Sequence, residues 1–268
     1  MELFILLIFG IIAGIVAGLF GLGGGILFTP ILFVVFSNAG IQHPVLLAIG
    51  SSLFCTFVAA FGSSVRQYNQ HNFYWGEGLK VGILGAAGVT LGKLVITSSY
   101  YNKQEFVIVF SLLLLYVAFM FYRRGSRNAS AIEKQTSVTW IQATVTGGLG
   151  GFVAALAGIG GGGVMVPLLN LFYKKDFAKS VSISSFAIVL ISLSGWLQLA
   201  LSGSGASALT NFHLGYVDFG AALPLALGGL FGGFGGAYLN LKINQRYLQY
   251  AFSVLAIIMA IKLITDVF

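Results

Sequence analysis

The chain has 268 residues, of which 57% are hydrophobic and only 8% charged. A soluble globular domain carries about 25% charged residues, so this chain lacks the polar surface to cover a water-soluble particle, and a mean hydropathy of +0.95 agrees. The net charge of +7 does not point to nucleic acid: the basic residues sit at the ends of apolar segments, where cytoplasmic loops carry them, and no RNA- or DNA-binding module is recognisable.

Apolar runs near the ~20 residues of a spanning helix recur along the chain, without the turn-punctuated alternation of barrel strands, so the expected fold is an all-α polytopic membrane protein. The first run starts at Leu3, with no Lys or Arg before it and no small-residue cleavage pattern after it, and reads as a retained segment rather than a signal peptide. It covers about 3–19 and breaks at glycines; a short apolar piece follows at about 26–36, then three spans at about 44–64, 78–98 and 105–122. The polar stretch 123–137 reads as a linker. The same layout then returns at about 138–157, 163–173, 180–201, 215–239 and 247–267. Cys55, the single cysteine, lies inside an apolar run and reads as a small packing residue.

The two series align. Gly21-Leu22-Gly23-Gly24-Gly25-Ile26-Leu27-Phe28-Thr29-Pro30 matches Gly158-Ile159-Gly160-Gly161-Gly162-Gly163-Val164-Met165-Val166-Pro167 without a gap. Ser51-Ser52 corresponds to Ser184-Ser185, Asn72-Phe73 with Gly76 to Asn211-Phe212 with Gly215, and Phe110-Ser111 to Phe252-Ser253. Four matches in one order indicate duplication, with repeats at 1–122 and 138–268 joined by a cytoplasmic linker, 123–137.

Basic residues orient the loops. Loops 123–137, 174–179 (Lys174, Lys175, Lys179) and 240–246 (Lys242, Arg246) read as cytoplasmic, as does 65–77 with Arg66; loops 37–43 and 202–213, without Lys or Arg, read as external, and 99–104 follows despite Lys103. Both termini then face the extracytoplasmic side, and equivalent loops lie on opposite sides. The expectation is two inverted-topology repeats with glycine-broken or re-entrant helices.

Broken helices occur at membrane depth only where they line a cavity or are buried in protein. Each short helix begins at a glycine run, with free N–H groups and a partial positive charge there. Two such ends near the midplane would form an anion site; close packing through small residues is the alternative. The candidate substrate-binding residues are Gly23, Gly24, Gly25, Gly160, Gly161 and Gly162, together with Ser51, Ser52, Ser184 and Ser185, whose hydroxyls can donate to an anion or bond their own helix carbonyls. Thr56 and Ser182 are weaker candidates. Lys93 can attract an anion or snorkel outward; Lys80 and Asp218 read as interfacial. Gly88, Gly92, Gly228, Gly232 and Gly236 follow small-xxx-small spacing and read as packing residues. The histidines are too dispersed for a metal site, and no nucleophile–base pair, buried carboxylate pair or P-loop is visible, so no enzyme, no ATP-driven pump and no cofactor is expected.

The paired Gly-x-Gly-Gly-Gly…Pro signatures at 21–30 and 158–167, the Ser-Ser after each, and the glycine-rich later spans resemble the TauE/SafE family of sulfite and organosulfonate exporters. The resemblance implies a bacterial-type inner (plasma) membrane transporter for small sulfur-containing anions. The expected function is export of sulfite or an organosulfonate such as sulfoacetate through a midplane site between the repeats. The alternatives are an importer or channel for a related small anion, or a non-transporting membrane subunit. Expected partners are the small anionic substrate and the lipid bilayer, with no nucleic acid; a homo-oligomer is left open.

Overall fold

A computed structural model describes residues 2–20, 24–69, 73–125, 137–202, 208–240 and 245–265. Among them are ten α-helices: α1 (Glu2–Phe20), α2 (Gly25–Asn38), α3 (Pro44–Asn69), α4 (Trp75–Ile96), α5 (Lys103–Gly125), α6 (Trp140–Ala157), α7 (Gly162–Pro167), α8 (Phe177–Ala200), α9 (Phe219–Asn240) and α10 (Gln245–Thr265). A π-helical turn, Leu168–Phe172, extends α7. Among the described residues five helices are long and apolar enough to cross a membrane: Pro44–Asn69, Trp75–Ile96, Lys103–Arg123, Trp140–Ala157 and Lys179–Ala200. The chain is thus an all-α polytopic membrane protein. α3 and α8 are the central pair, with 61% of each spanning window buried against 39% for α4 and 44% for α5 and α6.

Packing falls into matched sets. α1 lies on α9 while α6 lies on α4; α3 meets α9 while α8 meets α4; α2 packs on α3 while α7 packs on α8; α5 pairs with α10 and α3 with α8. Exchanging each first-half helix for its counterpart in the second half preserves each of these pairings. The match extends to single atoms. Ser111 Oγ donates to Ala260 O at 3.5 Å and Ser253 Oγ donates to Ala118 O at 2.9 Å. A Cβ on Gly14 would run into Gly229, and one on Gly151 into its equivalent partner, Gly85. Likewise Gly232 abuts the Ile11 carbonyl while Gly88 abuts that of Gly148. Small residues therefore let these helices approach backbone to backbone.

Two regions depart from the sequence expectation. The span expected from 215 begins as α9 at Phe219, after a two-stranded hairpin, β1 (His213–Leu214) and β2 (Val217–Asp218). Gly215, at φ 52°, makes the turn. Asp218, expected at the membrane interface, is fully buried in protein. It caps α9 by accepting from Ala221 N (3.0 Å) and holds the preceding loop through Thr210 N (2.9 Å); sequence hydropathy carries no sign of such a cap. The basic loop at 174–179 is also less exposed than its charge suggests. Lys179 lies in α8, 5% exposed, paired with Glu77 of α4 at 2.8 Å, and Glu77 accepts from Val138 N at 3.1 Å. Lys175 donates to Ser137 O at 3.3 Å.

The α4–α6 contact predicts opposite outcomes for neighbouring glycines. Gly151→Val should lower the apparent melting temperature of the detergent-solubilised protein by about 5 °C or more, because overpacking here meets rigid backbone. Gly148, whose added Cβ meets nothing within 4 Å, should tolerate alanine with no loss, since Gly→Ala within a helix is favourable by about 0.5–1 kcal/mol. Parallel thermal unfolding curves of the two variants check this.

Candidate functional site

Glycine decides where the helices break. α6 ends at Ala157, residues 158–161 form a turn, and α7 starts at Gly162. Gly158, Gly160 and Gly161 have φ of 71°, 70° and 78°, a left-handed backbone that residues with a Cβ rarely adopt. In the first half α1 ends at Phe20 and α2 starts at Gly25; its N-cap, Gly24, has φ 78°, as does its sequence counterpart Gly161. Gly23 lies outside the described residues. Pro30 falls within α2 and Pro167 closes α7. At 14 residues, α2 is about 21 Å long, short of a ~30 Å hydrocarbon core.

The two breaks touch. A Cβ on Gly25 would lie 2.6 Å from Ile159 Cα and 2.7 Å from Thr56 Oγ1. On Gly158 it would lie 2.8 Å from Thr29 Oγ1, and on Gly160 2.6 Å from Thr56 Cγ2. α3 runs along both breaks and presents Ser52 and Thr56, one helical turn apart on one face.

The carbonyls of Ala154, Leu156 and Gly158, around the second break, have partners. Gly158 N donates to Ala154 O (2.8 Å), closing α6. Tyr101, from the loop between α4 and α5, donates its hydroxyl to Leu156 O at 2.8 Å. Burial, and then the negative charge of Glu105, raises the pKa of that hydroxyl, so it stays protonated and a donor. Ser52 Oγ donates to Gly158 O at 3.0 Å. Ser52 Oγ also lies 2.8 Å from Thr29 Oγ1, which donates to Gly25 O at 3.0 Å. The Thr29–Ser52 pair therefore sits between a carbonyl of one half and a carbonyl of the other.

The amides are treated differently. Neither N-cap glycine has a side chain to cap its helix. The first bonds of α2 run from Leu27 N and Phe28 N to Gly24 O, and those of α7 from Val164 N and Met165 N to Gly161 O. The amides of Gly25, Ile26, Gly162 and Gly163 come before these, and a helix supplies such groups no acceptor of its own. All four residues are buried. Three carbonyls met by donors at the second break, beside first-turn amides that have no acceptor in their own helix, suit a negatively charged or acceptor-rich solute.

The sequence candidates divide accordingly. Gly25, Ser52 and Gly160 converge, with Gly24, Gly161 and Gly162 beside them as N-caps and first helical residue. Ser51 instead accepts from Asp218 N at 2.9 Å and anchors the hairpin to α3. Ser184 donates to Val181 O of its own helix at 3.3 Å, and Ser185 lies 3.2 Å from Ser63 Oγ. Thr29 stands within the first glycine motif, where nothing marks it as a site residue, and nothing in the sequence places Tyr101 near the second break.

The family model for the sulfite exporter TauE/SafE matches residues 6–263. The chain is also similar to proteins named "probable membrane transporter protein". One from Methanocaldococcus jannaschii is 29% identical over 250 residues, 93% of this chain and 90% of the relative. One from Haemophilus influenzae is 27% identical over 266 residues, 96% of each. YunE of Bacillus subtilis is 28% identical over 287 residues, 99% and 98% of the two chains.

Two serines should separate in a stability measurement. Ser52→Ala takes a partner from the buried Gly158 carbonyl and should cost about 1–3 kcal/mol. Ser184→Ala should stay within about 0.5 kcal/mol of the parent. Apparent melting temperatures in one detergent give the comparison.

Proposed function

We propose that this chain, which belongs to the TauE/SafE sulfite exporter family, carries a small sulfur-containing anion out of the cell through the site where its two helix breaks meet. It is a membrane transporter; the cargo favoured is sulfite or an organosulfonate such as sulfoacetate. The observation that carries this reading is the contact of Gly25 with the Ile159 backbone, which brings the first-turn amides of α2 to the second break. Neutral donors of this kind hold an anion without a buried counter-charge, which favours release as well as binding.

The matched packing supports two related halves; the distribution of basic loop residues favours their inversion in the plane of an inner membrane, with both termini on the extracytoplasmic side. Transport would be alternating access, with one half rocking against the other around the shared site. Export needs no coupling ion: with the cell interior negative, a leaving anion gains about 2.3 kcal/mol per charge per 100 mV.

Purified protein in liposomes should carry sulfite down an imposed potential without a proton gradient. Gly24→Val or Gly161→Val should abolish that flux while leaving membrane insertion largely intact. Unchanged flux in these variants would rule out the site, and flux that required a proton gradient and ignored potential would rule out the uncoupled mechanism.

A further inference from the structure

Thr56 is completely buried, and its hydroxyl has no hydrogen-bond partner. That is unusual for a helical threonine, which can donate to the carbonyl four residues earlier. Thr29, Thr90, Thr97 and Thr144 all do so, to Gly25, Ala86, Lys93 and Trp140. Among the described residues five buried side chains carry an unpartnered polar atom: Ser37, Thr56, Ser64, Thr146 and Trp196. Only Thr56 stands among the nearest neighbours of glycines in both breaks. Its methyl group packs toward Gly160, which turns its hydroxyl toward Gly25, at the first turn of α2.

We propose that the Thr56 hydroxyl is a direct ligand of the transported anion, donating to the same oxyanion head that the first amides of α2 hold. This rests on the anion-transport reading above. The serines near the breaks are committed elsewhere: Ser52 to Gly158 and Thr29, Ser51 to Asp218, Ser184 to its own helix and Ser185 to Ser63. Thr56 is the hydroxyl left over, and burying one without a partner is destabilising. Such a group is tolerated where a ligand supplies the missing bond, at the expense of stability in the empty state. The second half has no equivalent. Four residues after Ser185, as Thr56 is four after Ser52, stands Val189, and Val166 stands where Thr29 does. Side-chain hydroxyls therefore reach the anion from the first half alone.

Thr56→Val keeps the shape and removes the hydroxyl. Sulfite flux into phosphatidylethanolamine/phosphatidylglycerol vesicles at fixed potential should show KM raised about tenfold, the loss of one hydrogen bond to a charged group. Thr56→Ser should recover most of that affinity. In detergent without sulfite, Thr56→Val should melt at the parent temperature or a few degrees higher, because no bond has been lost; the shift that sulfite gives the parent should shrink. A parental KM in well-folded Thr56→Val would assign the hydroxyl to a buried water and overturn the proposal. A lower melting temperature, or an aggregated variant, would also overturn it by showing that the hydroxyl serves the fold. If the parent protein moves neither sulfite nor sulfoacetate, the transport reading itself fails, and that shows before any variant is made.

Discussion

A peptide group released from its helix inside hydrocarbon must find another partner, since leaving it bare costs several kcal/mol. The second glycine interruption is arranged around this constraint. At the second break the carbonyls of Ala154, Leu156 and Gly158 are met by a helix-closing amide, the Tyr101 hydroxyl and the Ser52 hydroxyl. The amides at the starts of α2 and α7 have glycine N-caps and so no side-chain cap, where soluble helices commonly place Ser, Thr, Asp or Asn. Threonine at the α6 N-cap, with Gln142 completing a capping box, shows the ordinary solution in this same chain. The contrast sets the three bonded carbonyls of the second break against helix starts that no side chain caps.

The positions of the breaks depend in turn on helix packing. Gly161 is held against Gly150 of α6, and Gly25 against the Ile159 backbone, with no room for a side chain. The outer helices are drawn together by similar small-residue contacts, Gly14 with Gly229 and Gly151 with Gly85. The order of events in the chain is therefore glycine first as a packing residue, and then as a residue that frees the backbone. Both uses come from the absence of Cβ, and they occur within a few residues of one another.

Much of this was legible in the sequence. The spans came from hydropathy, and the ungapped glycine match anticipated that Gly24 and Gly161 would take the same role; both are left-handed N-caps with φ 78°. The later glycines read as packing residues because their i,i+4 spacing puts them on one helix face, and Gly88, Gly92, Gly228 and Gly232 do lie against neighbouring backbone or side chains. What hydropathy could not give was the partner of each polar side chain. Ser51, Ser52, Ser184 and Ser185 look alike in sequence, yet they bond a hairpin amide, a break carbonyl, their own helix and another serine. That division depends on contacts between residues far apart in the chain, such as Ser52 with Gly158, and no periodicity encodes them. The hairpin at 213–218 escaped for a similar reason: it is two residues per strand and held by the buried cap Asp218.

The Thr29–Ser52 pair has one more property, which comes from counting hydrogens. Three short oxygen–oxygen contacts join Gly25 O, Thr29 Oγ1, Ser52 Oγ and Gly158 O, but the two hydroxyls own only two hydrogens. In one arrangement Thr29 donates to Ser52 and Ser52 to Gly158; in another Ser52 donates to Thr29 and Thr29 to Gly25; in a third each donates to its carbonyl and the 2.8 Å contact carries no hydrogen. If Gly158 moved away from Ser52, rotation about two C–O bonds would convert the first into the second, and neither hydroxyl would lose its acceptor. The joint between the halves can thus part with no stranded proton donor on the α3 side, a clasp that re-ties to its own half as it opens.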